Sequence, residues 1–206
     1  MNNKGLLTVL KSITAMALAL GANSSFAAKD EAKMKIDATA SKLEWMGKKI
    51  TKQEHKGTIN IKSGDVAFKG KTLVGGEFVV DMKTIKDMDL TDAEYNKKLV
   101  GHLNSEDFFA TEKHAEAKLV IKSVKETAPG KADVTADLTI KGTTLPVNFP
   151  AEIAWQGDKK VTAKGKLVVD RTKYGIKYNS GKFFKDLGDK LIDDNFELSF
   201  ELTAQK

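Results

Sequence analysis

The segment "KADVTADLTIKG", residues 131–142, decides the fold class. Ala132, Val134, Ala136, Leu138 and Ile140 alternate with Lys131, Asp133, Thr135, Asp137 and Thr139. A side-chain period of two puts these sets on opposite faces of an extended strand, one toward a core and one toward water. A helix would scatter the same residues around its circumference.

The alternation recurs outward along the chain. Ile59 and Ile61 in "HKGTINIKS" (55–63), Ala115, Ala117, Leu119 and Ile121 in "HAEAKLVIKS" (114–123), and Phe196, Leu198, Phe200 and Leu202 in "DNFELSFELTAQK" (194–206) each share one face. Further strands are predicted over "KLEWMGKKI" (42–50), "GGEFVVDMKTI" (75–85), "LPVNFPAEIAW" (145–155) and "KVTAKGKLVVDR" (160–171). Pro129-Gly130, Lys141-Gly142 and Gly157-Asp158 supply turns between them. Strands in meander order with one apolar and one charged face imply an antiparallel barrel or sandwich.

The inward phase is often filled by alanine, at positions 115, 117, 132, 136, 151 and 163. So many small residues cannot fill the middle of an eight-stranded barrel, whereas a barrel of that size can hold one small ligand. The expectation is therefore an apolar interior cavity. The alternative is a flattened sandwich whose alanines let two sheets approach closely.

One stretch breaks the rhythm. In "TDAEYNKKLVG" (91–101), Thr91 and Glu94 have the spacing of a capping box and the apolar residues fall near helical spacing. A second helical turn, capped by Ser105, is expected over "NSEDFF" (104–109). A short helical lid between strands would close one barrel end, with Phe108 and Phe109 plugging it or packing beneath the helix.

Composition narrows the chemistry. The 206 residues include no cysteine, which excludes thiol catalysis and disulfides. The 34 basic and 28 acidic residues are dispersed rather than blocked, so nucleic acid is not an expected partner, while a transient contact with an anionic membrane surface is compatible. The three histidines, His55, His102 and His114, lack the spacing that aims two imidazoles at one ion, so no metal site is expected. No nucleophile elbow or phosphate-binding glycine loop is present. The chain starts with Lys4 and Lys11 around a short apolar run, followed by Ser25-Phe26-Ala27, the pattern of a cleaved export signal over 1–27. Residues 28–206 would then form one domain, as a monomer or homodimer.

Arg171 is the out-of-place charge. It shares the phase of Val161, Ala163, Leu167 and Val169, and must meet a carboxylate, backbone carbonyls or a polar ligand head. The segment that follows, to about residue 190, reads as a long loop with aromatic anchors. Strand phase also nominates Trp45, Phe78, Phe149, Phe196 and Phe200 as walls of the interior.

The run "GHLNSEDFFATEKHAEAKLVI" (101–121) resembles the H-L-K-S-x-D-F-F-D-x-x-K-Y-P signature of the YceI-like family, and "DRTKYGI" (170–176) resembles its D-R-x-x-F-G-I motif. The opening "LEWMGKKITKQEHKGTINIKSG" (43–64) is similar as well, and the likeness spans about residues 35–204. The resemblance implies a periplasmic, non-catalytic, lipocalin-like barrel of eight antiparallel strands that carries a polyisoprenoid or isoprenoid quinone without a cofactor. It nominates His102, Leu103, Ser105, Asp107, Phe108 and Phe109 on the lid and Arg171, Tyr174, Gly175 and Ile176 on the rim. Asn104 replaces the usual Lys and Tyr174 the usual Phe, which would favour a more polar ligand if those positions touch its head. Two other readings remain: a filled barrel whose 171–190 loop docks a protein of the cell envelope, and a lipid-modifying enzyme using His102 with Asp107.

Overall fold

Each alternating segment hydrogen-bonds to its neighbour in the chain, and the last strand returns to the second, so the sheet closes. The computed structural model describes residues 31–206; the expected export signal lies outside the described residues. In chain order the elements are β1 (Glu31–Ile36), β2 (Lys42–Lys48), β3 (Glu54–Lys69), β4 (Thr72–Asp87), α1 (Ala93–Asn104), β5 (Glu116–Ala128), β6 (Lys131–Ile140), β7 (Thr143–Gln156), β8 (Lys160–Asp170) and β9 (Asn195–Gln205). All pairings are antiparallel. The fold is a closed barrel, not a flattened sandwich.

Nine strands make eight staves because β1 and β2 share one position. Both lie between β3 and β9 and run in the same direction. β2 pairs with the start of β3, as in Trp45↔Gly57, and β1 with its end, as in Met34↔Val66. The interruption is a turn at Asp37, whose Oδ1 accepts from the Thr39 N–H at 3.0 Å, the Thr39 hydroxyl at 2.7 Å and the Ala40 N–H at 3.0 Å. β1 falls outside the predicted strands although Ala32, Met34 and Ile36 alternate with Glu31, Lys33 and Lys35, because the alternation lasts only six residues.

The two ends differ. At the far end from the helix the connections are tight, and Met34, Phe68, Val161 and Ala204 are buried together, with Trp155 edge-on to Phe68 at 4.8 Å. At the opposite end stand α1, the β2–β3 turn, and the long β8–β9 connection. A barrel whose long strands β3 and β4 each run 16 residues, about 50 Å of extended chain, thus has one end of tight turns and one elaborated end.

The lid differs from its sequence reading in two details. Asp92, not Thr91, caps α1, accepting from the Glu94 and Tyr95 N–H groups at 2.9 and 3.0 Å. The helix also runs on to Asn104, and Ser105 ends it instead of starting another, its hydroxyl donating to the His102 carbonyl at 2.8 Å. Residues 106–109 form turns, and Ala110, at φ +48°, reverses the chain toward β5. Asn96 ties the helix to β4, its amide donating to the Asp87 carbonyl and carboxylate at 3.2 and 3.1 Å.

Close approach fixes one glycine. A Cβ on Gly57 would collide with the Lys86 carbonyl oxygen and press on the Trp45 ring, where the indole N–H donates to that same carbonyl at 3.1 Å. Gly57→Ala should therefore cost about 3 kcal/mol, read as a lowered urea midpoint, because β3 and β4 must part. Asp92→Ala should cost about 1 kcal/mol, by loss of its cap.

Candidate functional site

The barrel encloses a cavity of about 220 Å³. Interiors packed at normal density leave few voids larger than a water molecule, so this is a built space. Alanines 117, 151 and 163 line it as their phase predicted; Ala132 and Ala136 are buried off its wall and Ala115 lies exposed before β5.

Most nominated residues meet here. Trp45, Phe78, Phe149, Phe196 and Phe200 line the walls, Leu103, Phe108 and Phe109 reach it from the lid, and Arg171 and Ile176 border it from the rim. Phe149 and Phe200 pack edge-on at 5.7 Å, as do Phe109 and Phe196 at 6.2 Å. His102 and Tyr174 are not on the wall. His102 sits outside, 3.1 Å from Asp107, with its ring 4.6 Å from Tyr178 and 4.9 Å from Phe108. Phe108 and Tyr178 complete the cluster at 5.5 Å, so three rings join the lid to the rim loop. Tyr174 is buried in the core with its hydroxyl unpaired, and burial pushes that hydroxyl's pKa up. Asn104 also misses the cavity: its amide accepts from the Thr111 hydroxyl at 2.8 Å and donates to the Val100 carbonyl at 2.9 Å, fixing the chain between lid and β5. The two departures from the family motif therefore do not touch the cavity.

Met82, in phase with Phe78, and Ile85, out of phase with it, also line it from β4 and were not among the nominated walls. Between the pairs Thr58↔Lys86 and Asn60↔Asp81, β4 carries four residues against one on β3. That bulge, in which the Thr84 hydroxyl accepts from Asn60 N–H and donates to the Asp81 carbonyl, reverses the inward parity.

Four polar side chains belong to lining residues, Lys118, Arg171, Asp193 and Asn195. The Lys118 ammonium pairs with Glu77 at 2.7 Å. The Arg171 guanidinium is almost fully buried and donates to four carbonyls: Asp193 at 2.9 Å, Ile176 at 3.0 Å, Tyr178 at 2.8 Å and Ile192 at 3.1 Å. Burial lowers its pKa, opposed by Asp194, Asp170 and Asp193. The structural side of the sequence alternative holds, with backbone carbonyls as the partners and Asp194 at 3.9 Å.

A second titratable group lies apart from the cavity. His55, Asp87 and Asp89 bring donor atoms within 4.8 Å of one another, a constellation that histidine spacing alone had missed. His55 Nδ1 lies 2.9 Å from Asp89, which also accepts from the Lys56 N–H at 2.7 Å. Burial raises the Asp87 pKa, reinforced by the neighbouring Asp89 carboxylate. Asp87 Oδ1 accepts from the Leu90 N–H at 2.9 Å and the Asn96 amide at 3.1 Å, while its Oδ2 is buried without a hydrogen-bond partner among the described residues.

The model of the YceI-like domain matches residues 34–204. A UPF0312 protein of Photorhabdus laumondii is 32% identical over 200 residues, covering 96% of this chain and 97% of its own. The match to a UPF0312 protein of Vibrio parahaemolyticus is 35% over 103 residues and spans about half of each chain, 50% and 52%. Among solved structures, BcnA of Burkholderia cenocepacia superposes with a TM-score of 0.64 at 23% identity, over 82% of this chain and 99% of that one. A polyisoprenoid binding domain from Saccharophagus degradans, implicated in plant cell wall breakdown, gives 0.63 at 16%, over 84% and 97%. These likenesses reproduce the barrel, and the family match covers both the lid and rim motifs: the chain belongs to the YceI-like family.

Proposed function

We propose that this protein is a non-catalytic carrier that holds a long apolar lipid, of the polyisoprenoid or isoprenoid-quinone class, inside its barrel in the periplasm. The observation that carries this reading is the cavity wall: aromatic and aliphatic side chains, with the neighbouring charges engaged by the protein itself. Such a site offers area and no unpartnered charge. Burying about ten methylene units at ~0.8 kcal/mol each supplies the driving force before ordering costs. Family membership and the polyisoprenoid binding domain of like fold support the ligand class.

The enzymatic reading has less support. His102 and Asp107 are in contact, but both are partly exposed on the outer side of the lid and neither lines the cavity. The carrier requires no cofactor.

The defining experiment is native mass spectrometry of protein purified from its own cell envelope, with extraction and identification of what is released. A stoichiometric lipid is expected; an empty protein that also refuses added prenyl quinones would sink the reading. Ala117→Phe should fill the cavity and weaken prenyl-quinone binding more than about tenfold while the thermal midpoint holds within a few degrees. Ala136→Phe, aimed at a packed site off the wall, should instead cost about 1–3 kcal/mol of stability. Tyr178→Ala should speed ligand release by opening the three-ring contact between lid and rim, measured as a faster off-rate at nearly unchanged fold stability.

A further inference from the structure

Two loops at the elaborated barrel end carry exposed apolar tips that the carrier reading leaves unused. Ile50, on the β2–β3 turn, is 65% exposed, and Phe183 and Phe184, on the β8–β9 loop, are 47% and 49% exposed. They belong to one surface. Lys49 bridges to Ile192, the Ile50 N–H donates to the Leu191 carbonyl at 3.1 Å, and the Asp193 N–H donates to the Lys48 carbonyl at 2.9 Å. The phenylalanines are held out by a fixed turn, since both their N–H groups bond to the carbonyl of the fully buried Ser180, at 3.1 and 3.0 Å.

The surroundings are basic. Segments 48–53 and 173–190 contain eight lysines and two aspartates. Lys182 is engaged with Asp170 and Asp194 at 3.1 and 3.2 Å, and Lys177 lies 4.8 Å over the Phe183 ring. Aromatic side chains flanked by lysines suit a bilayer interface, where rings sit at headgroup depth and ammonium groups reach the phosphates. The location adds a second argument. Gly47, Ile192, Asp193 and Asn195, which anchor these loops, also line the cavity, so the cavity reaches the base of the surface that carries the exposed tips.

We propose that Ile50, Phe183 and Phe184, with the surrounding lysines, form a docking surface for anionic phospholipid bilayers, through which apolar cargo passes between membrane and cavity. The proposal rests on the carrier reading for its purpose but not for its chemistry. A ligand extruded beside inserted rings enters the acyl region without crossing water.

The test is cosedimentation of the purified protein with phosphatidylethanolamine vesicles containing phosphatidylglycerol, and with phosphatidylcholine vesicles alone. Binding to the anionic vesicles is expected, weakened at least about tenfold on neutral vesicles or in high salt. The doubles F183A/F184A and K177E/K185E should each lose about tenfold in vesicle affinity. Both should still take up a short prenyl quinone delivered from dilute ethanol, and should receive it more slowly from vesicles. Failure of the unmodified protein to bind, equal binding to both vesicle types, or retained binding by both variants overturns the docking surface. Vesicle binding that the variants lose, in a protein that takes up no quinone from solution, would keep the docking surface and remove the carrier reading.

Discussion

The buried guanidinium of Arg171 is the constraint on which the elaborated end of the barrel depends. It sits where β8 stops, and its donors reach carbonyls of residues 176, 178, 192 and 193, at both ends of the loop that follows. Those carbonyls belong to no strand or helix ladder, and burying them unpaired would be costly. A planar fork with five donors can gather them at once; an ammonium on a flexible stem cannot present the same directions. With Tyr178 so held, its ring is placed against His102 and Phe108, and the lid acquires something to lean on. One charge in the apolar phase of β8 thus organises loop, rim and lid.

The hollow interior has a different origin, in strand length and closure. A stave split into β1 and β2 lets the chain follow the coil of the long strand β3, with Asp37 absorbing the change of direction. Alanine on the wall then leaves space that leucine or phenylalanine would fill, and rings from lid and strands bound it at one end. At the opposite end Trp155 meets Phe68 edge-on and donates its indole N–H to the Lys71 carbonyl at 3.1 Å, and Phe68, Val161 and Ala204 there also line the cavity, which therefore runs along the barrel.

Sequence legibility tracked how local the controlling physics was. Strict alternation placed β6 and the aromatic walls, since a pleated strand has only two faces. Parity failed at Ile85, out of step with Phe78, Val80 and Met82, because a bulge inserts residues that pairing with β3, not local composition, determines. Arg171 was legible as a charge needing partners, but the partners are carbonyls of an irregular loop and leave no mark in side-chain identity. His102 and Tyr174 came from motif likeness, and their motif positions mark the contact between lid, rim and core instead of the wall. Thr91 was preferred to Asp92 as cap because both are good capping residues and only backbone geometry separates them.

A wall of this composition also sets what selectivity is physically available. Discrimination by an apolar pocket is worth only about 1–3 kcal/mol per methylene, whereas rejecting a ligand that lacks a polar group requires buried polar partners left unpaired. Around this cavity Arg171 and Lys118 are already paired within the protein, so a ligand's head group gains little by facing inward. The arrangement favours recognition of chain length and branching, with the head group left near the lysine-bearing rim. If the proposed carrier role holds, such a wall suits a class of lipids sharing a tail, and narrowing it to one member would require freeing a charge that now holds the rim together.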